Sequence, residues 1–412
     1  MNKGTRKSLF AILPNCETRA VEGIISSLGK RKIPLIGLSE NPSCVAFHSK
    51  YLSQKIISPD PNNEEEFIEF LLNKVNPGVL LTSNDQTTLL FSKYADKLKK
   101  AGFLTNIPSK DNLIAGFDKW QCHQRALELN IPVAKTYSIV TEEDALDAAN
   151  KLGYPHIIKA TRLAGGNYAF VQGDYDVLPA FKKMTTLIKI KSNKAMESGL
   201  ISQEWLQYEL EDSWSTEAYY DTQGKARGFW PTRRWRTVIY PNGTFGSRLY
   251  AGESLEQTEL RALTKKLLDG LEWRGFAHVE WVFLQDKKKF CLNEINPRLP
   301  GYSFFPCHAG FNMAYFYYAD LTCQEYEVPP LRSTVYFETF RHPGDFTSTL
   351  IACARGKYSF LKLFKSYLKA LLGKRPVVVD YFEISEPKRT IYNFLNISSN
   401  LFKDFFSILK RN

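Results

Sequence analysis

The chain has 412 residues, 44% hydrophobic and 24% charged, a balance that fits a globular protein with two or three cores. No run approaches the ~18 apolar residues of a membrane span. The seven cysteines (Cys16, Cys44, Cys122, Cys291, Cys307, Cys323 and Cys353) lack any Cys-x-x-Cys pairing, so reduced thiols and a cytoplasmic setting are expected. The formal net charge is +11, but residues 355–412 hold 12 Lys or Arg against 4 Asp or Glu. That tail is therefore +8 and the first 354 residues only +3, so any anionic partner belongs to the tail.

The basic start, Met1 to Lys7, is followed by an apolar run of only Leu9 to Leu13 before Pro14. This is too short for a signal-peptide core and reads as a first buried strand, Ser8 to Leu13. A helix is expected from about Arg19 to Gly29, a strand from Ile33 to Leu38, a helix from Glu64 to Lys74 and a strand from Gly78 to Thr82. Strands alternating with helices of this length imply a parallel α/β sheet. Leu13-Pro-Asn-Cys-Glu lacks the Gly-x-Gly-x-x-Gly turn of a dinucleotide site, so this region is expected to be structural or to face a substrate.

After Asp118-Lys119 the pattern predicts a helix to Asn130, then a strand near Lys135 to Val140. Thr141 with Asp144 reads as a capping box, opening a helix that stops at Gly153. A strand from Tyr154 to Ala160 leads into the flexible Leu163-Ala-Gly-Gly-Asn167. From Ile201 to Arg298 the pattern turns strand-rich, with one helix between about Leu255 and Glu272, as in an α+β module.

The strongest chemical signal is Phe290-Cys-Leu-Asn-Glu-Ile-Asn-Pro-Arg298 beside His278-Val-Glu-Trp-Val282. Glu294 and Asn296 share a strand face because side chains alternate. A charged turn, Gln285 to Lys289, predicts antiparallel pairing that brings Glu280 alongside them. Two carboxylates and an amide suit a magnesium ion that phosphates also bind, and Arg298 offers a fork of donors for a phosphoryl oxygen. Taken alone, the same residues read equally as strand carboxylates paired with lysines. His278 reads as a packed strand residue rather than a ligand.

Glu-Ile-Asn-Pro-Arg after a Val-Glu-Trp strand resembles the metal site of the ATP-grasp superfamily, and other landmarks follow in the same order. Asp118-Lys119, a helix and Ile131-Pro-Val resemble the opening of its lid, and Pro155-His-Ile-Ile-Lys159 resembles its second nucleotide-binding strand. The resemblance implies that Lys119 and Lys159 hold ATP phosphates beneath a flap containing Gly165 and Gly166. It also implies that a hinge at Glu204, Trp205 and Leu206 reads the adenine edge. A following acidic residue takes the ribose; Glu211 is chosen, with Glu209 left open. The flap is poorer in glycine than in many relatives, and the His278 and Trp281 flanks depart from the usual apolar residues.

Upstream, Ser27 to Gly37 and Thr82 to Asp85, with Trp214 to Gly224, Arg233 to Arg236 and Tyr240-Pro241, resemble a carboxylate–amine ligase branch that includes D-aspartate ligases of cell-wall assembly. What the resemblance implies is an ATP-dependent ligase forming an amide or peptide bond through an acyl phosphate, using two Mg2+ ions that Mn2+ can replace. Arg298 would stabilise that intermediate. Among Arg233, Arg234 and Arg236, the last is chosen as a second catalytic arginine. A carboxylase or carbamoyl-phosphate-type enzyme and a non-catalytic nucleotide-binding regulator are the alternatives.

In the tail, Leu361, Phe364, Leu368 and Leu371 repeat at helical spacing with Lys362, Lys365 and Lys369 along one flank. The plainer reading packs that stripe on the protein; the other lays it on an anionic membrane. Leu401, Phe405, Phe406 and Leu409 continue the apolar character, and no nucleic-acid module is visible. The expected layout is an α/β domain at 1–112, a lid at 113–200, a metal and catalytic part at 201–330 and a basic helical extension at 331–412. Small carboxylate and amine substrates are expected partners, chosen by loops at Asn84-Asp85, Arg248 and Tyr302-Ser303. A homodimer is within expectation.

Overall fold

The computed structural model describes residues 9–163, 167–191, 198–237, 249–338, 345–354, 356, 358–379 and 385–391. The chain opens with β1 (Phe10–Leu13), α1 (Arg19–Gly29), β2 (Leu35–Ser39), β3 (Leu52–Ile57), α2 (Glu64–Lys74) and β4 (Gly78–Leu80). These strands form an all-parallel sheet in the order β3-β2-β1-β4. Both faces of β1 are covered: Ala11 and Leu13 pack with α1, while Ile12 packs with Phe67, Ile68 and Leu71 of α2. Strands buried on both faces need continuous apolar runs, which is why their sequence is so readable. β3, at the edge, alternates buried and exposed positions and carries no such run. The unit closes with α3 (Asp85–Lys93), α4 (Ala95–Lys100) and α5 (Lys110–Phe117); the Asn84 side chain caps α3 by accepting from the Thr87 backbone N–H at 2.9 Å.

Next come α6 (Lys119–Glu128), β5 (Thr136–Ile139), α7 (Glu142–Leu152), β6 (His156–Ala160), β7 (Tyr168–Val171), α8 (Asp174–Lys191) and β8 (Leu200–Glu204). They build an antiparallel sheet, β5-β8-β6-β7, with α7 and α8 packed on one face. The capping box forms as expected: Asp144 N–H donates to Thr141 Oγ1 at 3.1 Å, and Thr141 N–H to Asp144 Oδ2 at 2.8 Å.

The remaining elements are β9 (Ser213–Tyr220), β10 (Ala226–Arg236), β11 (Ala251–Ser254), α9 (Thr258–Gly270), β12 (Gly275–Leu284), β13 (Lys289–Asn296), α10 (Phe304–Ala309), α11 (Met313–Leu321), β14 (Val335–Phe337), α12 (Asp345–Ala354), α13 (Phe360–Leu372) and β15 (Val377–Val379). Seven strands join in the order β13-β12-β9-β10-β11-β14-β15, antiparallel except for the last pair. The sheet therefore runs past residue 330, where a helical extension was expected to begin. β14 satisfies backbone groups that β11 would otherwise leave unpaired, and β15 does the same for β14.

Helix α13 also differs from its plainer reading. The stripe expected to pack inward faces out, with Leu361, Phe364 and Leu368 exposed at 59%, 65% and 41%. The buried row is Leu363 and Ala370, with Tyr367 stacked on Phe337. A helix carrying two apolar rows offers two docking faces, and the aromatic pair on Phe337 selects one.

The parallel sheet and the seven-stranded sheet share a core, in which α1 residues Val21, Ile24 and Ile25 meet Tyr219, Phe276 and the α11 residues Phe316 and Tyr317. Asn106 pins this joint, donating its N–H to Tyr317 Oη at 2.7 Å and its Nδ2–H to the Tyr220 carbonyl at 2.9 Å. Gly275 sits against it with φ +71°, and a Cβ there would fall 2.1 Å from the Asn106 carbonyl oxygen. Gly275→Ala is therefore expected to cost at least about 2 kcal/mol from left-handed strain plus overlap, seen as a lowered midpoint in denaturant unfolding.

Candidate active site

The expected pairing is present: Glu280 lies opposite Glu294, and His278 opposite Asn296, on β12 and β13. Across the other edge of β12, His278 faces Glu217 and Glu280 faces Ser215 on β9, and Ser215 pairs with Thr232 on β10. Directly opposed side chains in an antiparallel ladder share a face. One face of four adjacent strands therefore carries a polar band in an otherwise apolar sheet.

Its inner half is closed off from solvent. Glu217 is fully buried; Tyr302 Oη, Ser215 Oγ at 3.2 Å and Thr232 Oγ1 at 3.1 Å all donate to it. His278 Nδ1 lies 3.1 Å from Glu217 Oε1, and its Nε2 lies 3.2 Å from Glu280 Oε1. Burial disfavours a charged imidazole, yet the two carboxylates outweigh it and raise the His278 pKa, so both ring nitrogens donate. Burial alone would push Glu280 up; His278, then Arg234 and Arg298, hold it well below the usual carboxylate range. Arg234 Nη2 stands 4.0 Å from Glu280 Oε2. His278 is thus packed, as expected, but it also ties a candidate ligand to a buried carboxylate.

The outer half faces a cleft. Asn296 Nδ2 is 3.4 Å from Glu294 Oε1, and Arg298 Nη2 donates to Asn296 Oδ1 at 3.2 Å. Arg298 Nε donates to Asp85 Oδ1 at 2.6 Å, joining the parallel-sheet unit to the site. Lys119, the first residue of α6, places Nζ 3.5 Å from Glu294 Oε2 and 3.2 Å from the Leu163 carbonyl. Its position is set by Asp118, which caps the helix through the Trp120 and Gln121 N–H groups at 2.9 and 3.1 Å and pairs with Arg162 Nε at 2.9 Å. On β6, burial and then Lys119 lower the Lys159 pKa to about 8, against the pull of Glu294. Asp85, Asp118, Lys119, Arg162, Glu294 and Asn296 line a cleft of about 460 Å3 including its open mouth.

Two neighbouring lysines, with the charge of Lys159 disfavoured by burial and by Lys119, are poised for a polyanion, and two carboxylates with an amide form part of a shell for a hard cation. Among the described residues no group of three His, Cys, Asp or Glu forms a metal cage by itself. Magnesium that takes its remaining ligands from phosphate oxygens and water needs no such cage, so the residues fit it.

The other expected residues fall in several places. Gly165 and Gly166 lie outside the described residues, as do Tyr240, Pro241 and Arg248. Glu204 ends β8 with Oε2 accepting from the Lys135 N–H at 3.2 Å and Oε1 3.4 Å from Lys287 Nζ. Trp205 packs edge-on against Phe170 with centroids 5.0 Å apart, and Leu206 packs beside Ala134, Val282 and Cys291. Glu211 sits on a one-turn 3-10 helix, Leu210–Asp212, and its carbonyl accepts from Arg233 Nε at 2.8 Å. The Glu209 side chain caps that turn; among the described residues Glu211 has no side-chain hydrogen bond or ion pair, so it is the freer of the two.

Arg236 is displaced from the role expected of it. A register shift separates it from Arg234 on β10. The side chain lies buried with Nη1 bonded to Ser366 and its guanidinium 4.7 Å from the Tyr367 ring and 5.4 Å from Phe337. Its described side-chain partners belong to β14 and α13, and Arg234 is the member of the trio that borders Glu280. Glu217 and Ser215 were given no role beforehand, Tyr302 was expected only in a substrate-selecting loop, and Arg234 was weighed but passed over for Arg236. The available signal was Ser215 and Glu217 alternating through a strand otherwise rich in aromatics. Arg236→Met is expected to loosen α13, lowering stability by about 1–3 kcal/mol and speeding proteolytic cleavage after residue 337.

The profile described as "Carbamoyl-phosphate synthase L chain, ATP binding domain" matches residues 118–194. The mitochondrial arginine-specific carbamoyl phosphate synthase large chain of Neurospora crassa is 34% identical over 113 residues, covering 24% of this chain and 9% of that protein. Across such relatives this chain spans only 9% to 26% of their length. Among solved structures, N5-carboxyaminoimidazole synthetase from Staphylococcus aureus superposes with TM-score 0.61 at 14% identity, covering 81% of this chain and 83% of that one. The biotin carboxylase domain of Hydrogenobacter thermophilus 2-oxoglutarate carboxylase, solved with MgADP and bicarbonate, gives TM-score 0.62 at 13% identity over 78% of this chain and 72% of that one. The matched segment begins at the aspartate that caps the Lys119 helix and runs through Lys159. In sequence, residues 118–194 are thus similar to the ATP-binding domain of carbamoyl-phosphate synthase large chains, and the chain as a whole shares its fold with these solved structures.

Proposed function

We propose that this protein is an ATP-dependent ligase that activates a carboxylate by phosphorylation and transfers the acyl group to an amine. The observation that carries the reading is the opposition of Glu280 and Glu294 on one sheet face, with Lys119 held 3.5 Å from Glu294. Lys119 and Lys159 bind phosphate oxygens; Glu280, Glu294 and Asn296 hold magnesium. The Glu204–Leu206 hinge meets the adenine edge, Glu211 the ribose, and Gly165 and Gly166 close over the phosphates through backbone N–H groups. When bound, magnesium neutralises charge on the β and γ oxygens.

The substrate carboxylate oxygen attacks the γ-phosphorus, the bond to ADP breaks, and an acyl phosphate forms. The amine nitrogen then attacks the carbonyl carbon, phosphate leaves and the nitrogen loses a proton. Arg298, anchored by Asp85, stands where its remaining N–H donors stabilise charge on the acyl phosphate and on the tetrahedral adduct. Arg234, beside Glu280, takes the second arginine role instead of Arg236.

A second reading replaces the organic acid with bicarbonate. Its support is that the similar proteins are named for carbamoyl or carboxy transfer, and one structure holds bicarbonate. A phosphate-release assay across organic acids, D-amino acids and bicarbonate, each with and without amines, separates the readings. Release that needs a matched acid and amine supports the first, and release that needs bicarbonate supports the second. Nucleotide binding without release under every combination marks a regulator and sinks both.

Two outcomes follow for the site. Glu294→Gln should lower phosphate release at least about 100-fold while leaving the unfolding midpoint in place; retained activity removes the metal assignment. Lys159 must carry its proton to bind phosphate, and it loses that proton in the free protein as pH rises through about 8. ADP affinity should therefore fall from pH 7 to 9, approaching about tenfold per pH unit at the upper end, with proton uptake measurable by calorimetry; Lys159→Met should abolish the pH dependence.

A further inference from the structure

We propose that the outer face of α13 is a peripheral docking surface for an anionic lipid membrane. At about 100° per residue the helix divides into three sectors. Leu363, Ser366, Tyr367 and Ala370 occupy an inward arc of about 100°, held by Arg236 and Phe337. Phe360, Leu361, Phe364, Leu368 and Leu372 occupy an adjoining arc of about 120° and are exposed at 58%, 59%, 65%, 41% and 76%. Lys362 and Lys365, both exposed, lie on the far flank of that apolar arc.

Single exposed apolar residues are ordinary on a protein surface. Here five of the sixteen large exposed ones among the described residues fall on one arc of a 13-residue helix, with exposed Val377 just beyond it. That concentration needs a partner.

Charge identifies which one. Residues 355–379 hold seven Lys or Arg and no Asp or Glu. An apolar strip edged by cations matches an interface where acyl chains lie beneath negative headgroups. Residues 392–412 add three further cations against the single acid Asp404, so the charge of the tail as a whole favours an anionic partner. A second copy would bring the same lysines. Among the described residues no helix is long and apolar enough to cross a membrane, so the contact is superficial and helix α13 lies along the surface.

The test is co-sedimentation of the full chain with phosphatidylcholine vesicles, either pure or containing about a third phosphatidylglycerol. Binding is expected to the anionic vesicles alone and to weaken as salt screens the headgroups. Each lysine near such a surface is worth a factor of about five, so Lys362→Ser with Lys365→Ser should weaken binding roughly 30-fold. Phe364→Ser with Leu368→Ser should abolish it. All four side chains are exposed, so an unchanged unfolding midpoint and retained ADP binding verify that the variants are folded. The proposal is overturned by equal binding to both vesicle types or to neither. It is also overturned if both double variants sediment like the parent, or if the parent is a dimer that these changes dissociate while vesicle binding stays absent.

Discussion

One extra residue in β13 decides whether the site can exist. Strict alternation along this strand would put Phe290, Leu292, Glu294 and Asn296 on the same face. Glu294 and Asn296 must face the cleft, whereas Phe290 and Leu292 belong in the core with Trp214, Trp273 and Trp281. Both demands are met because the register shifts between Glu280 and Trp281: Glu280 opposes Glu294, but Trp281 opposes Leu292, and exposed Asn293 is left over. A bulge reverses which face each later residue meets. It turns one amphipathic strand into an apolar half and a polar half, and thereby seats the proposed ligands over a dry core.

A polar band in a buried sheet is tolerable only when every member has a partner. Glu217 has no solvent, yet it accepts from a tyrosine, two hydroxyls and an imidazolium. His278 passes that constraint to Glu280, whose other oxygen faces Arg234. The proposed metal carboxylates consequently differ: Glu280 is fixed from below by charge and hydrogen bonds, whereas Glu294 and Asn296 stand at the cleft with Lys119 and Arg298. Removing one partner would strand a buried charge, which costs more than the lost bond itself.

The same sheet couples distant parts of the chain. Asp85 at the start of α3 reaches Arg298, so the parallel-sheet unit helps orient the arginine proposed to meet the acyl phosphate. On β10 the two neighbouring arginines divide their duties. Arg234 turns to Glu280, while Arg236, past its own register shift, grips Ser366 and Tyr367 on α13. The helix proposed to meet lipid is therefore anchored on the strand that borders the proposed metal carboxylates.

Much of this was readable beforehand because it depends on local rules. The bounds of α1 and α2, the Thr141–Asp144 capping box and the opposition of Glu280 to Glu294 follow from periodicity, capping chemistry and a short charged turn. Other features depend on contacts between residues remote in sequence. Glu217 and Tyr302 are 85 positions apart, and Arg236 and Ser366 are 130. Helix α13 carries two apolar rows, and the weaker one is buried because Tyr367 stacks on Phe337 beneath it. The sequence by itself determined the elements, the charge of the tail and the set of groups able to carry the chemistry. The tertiary structure decided which arginine borders Glu280, which face of the tail helix meets solvent and how β13 serves both core and cleft, because each answer depends on a bulge or a partner that no local pattern encodes.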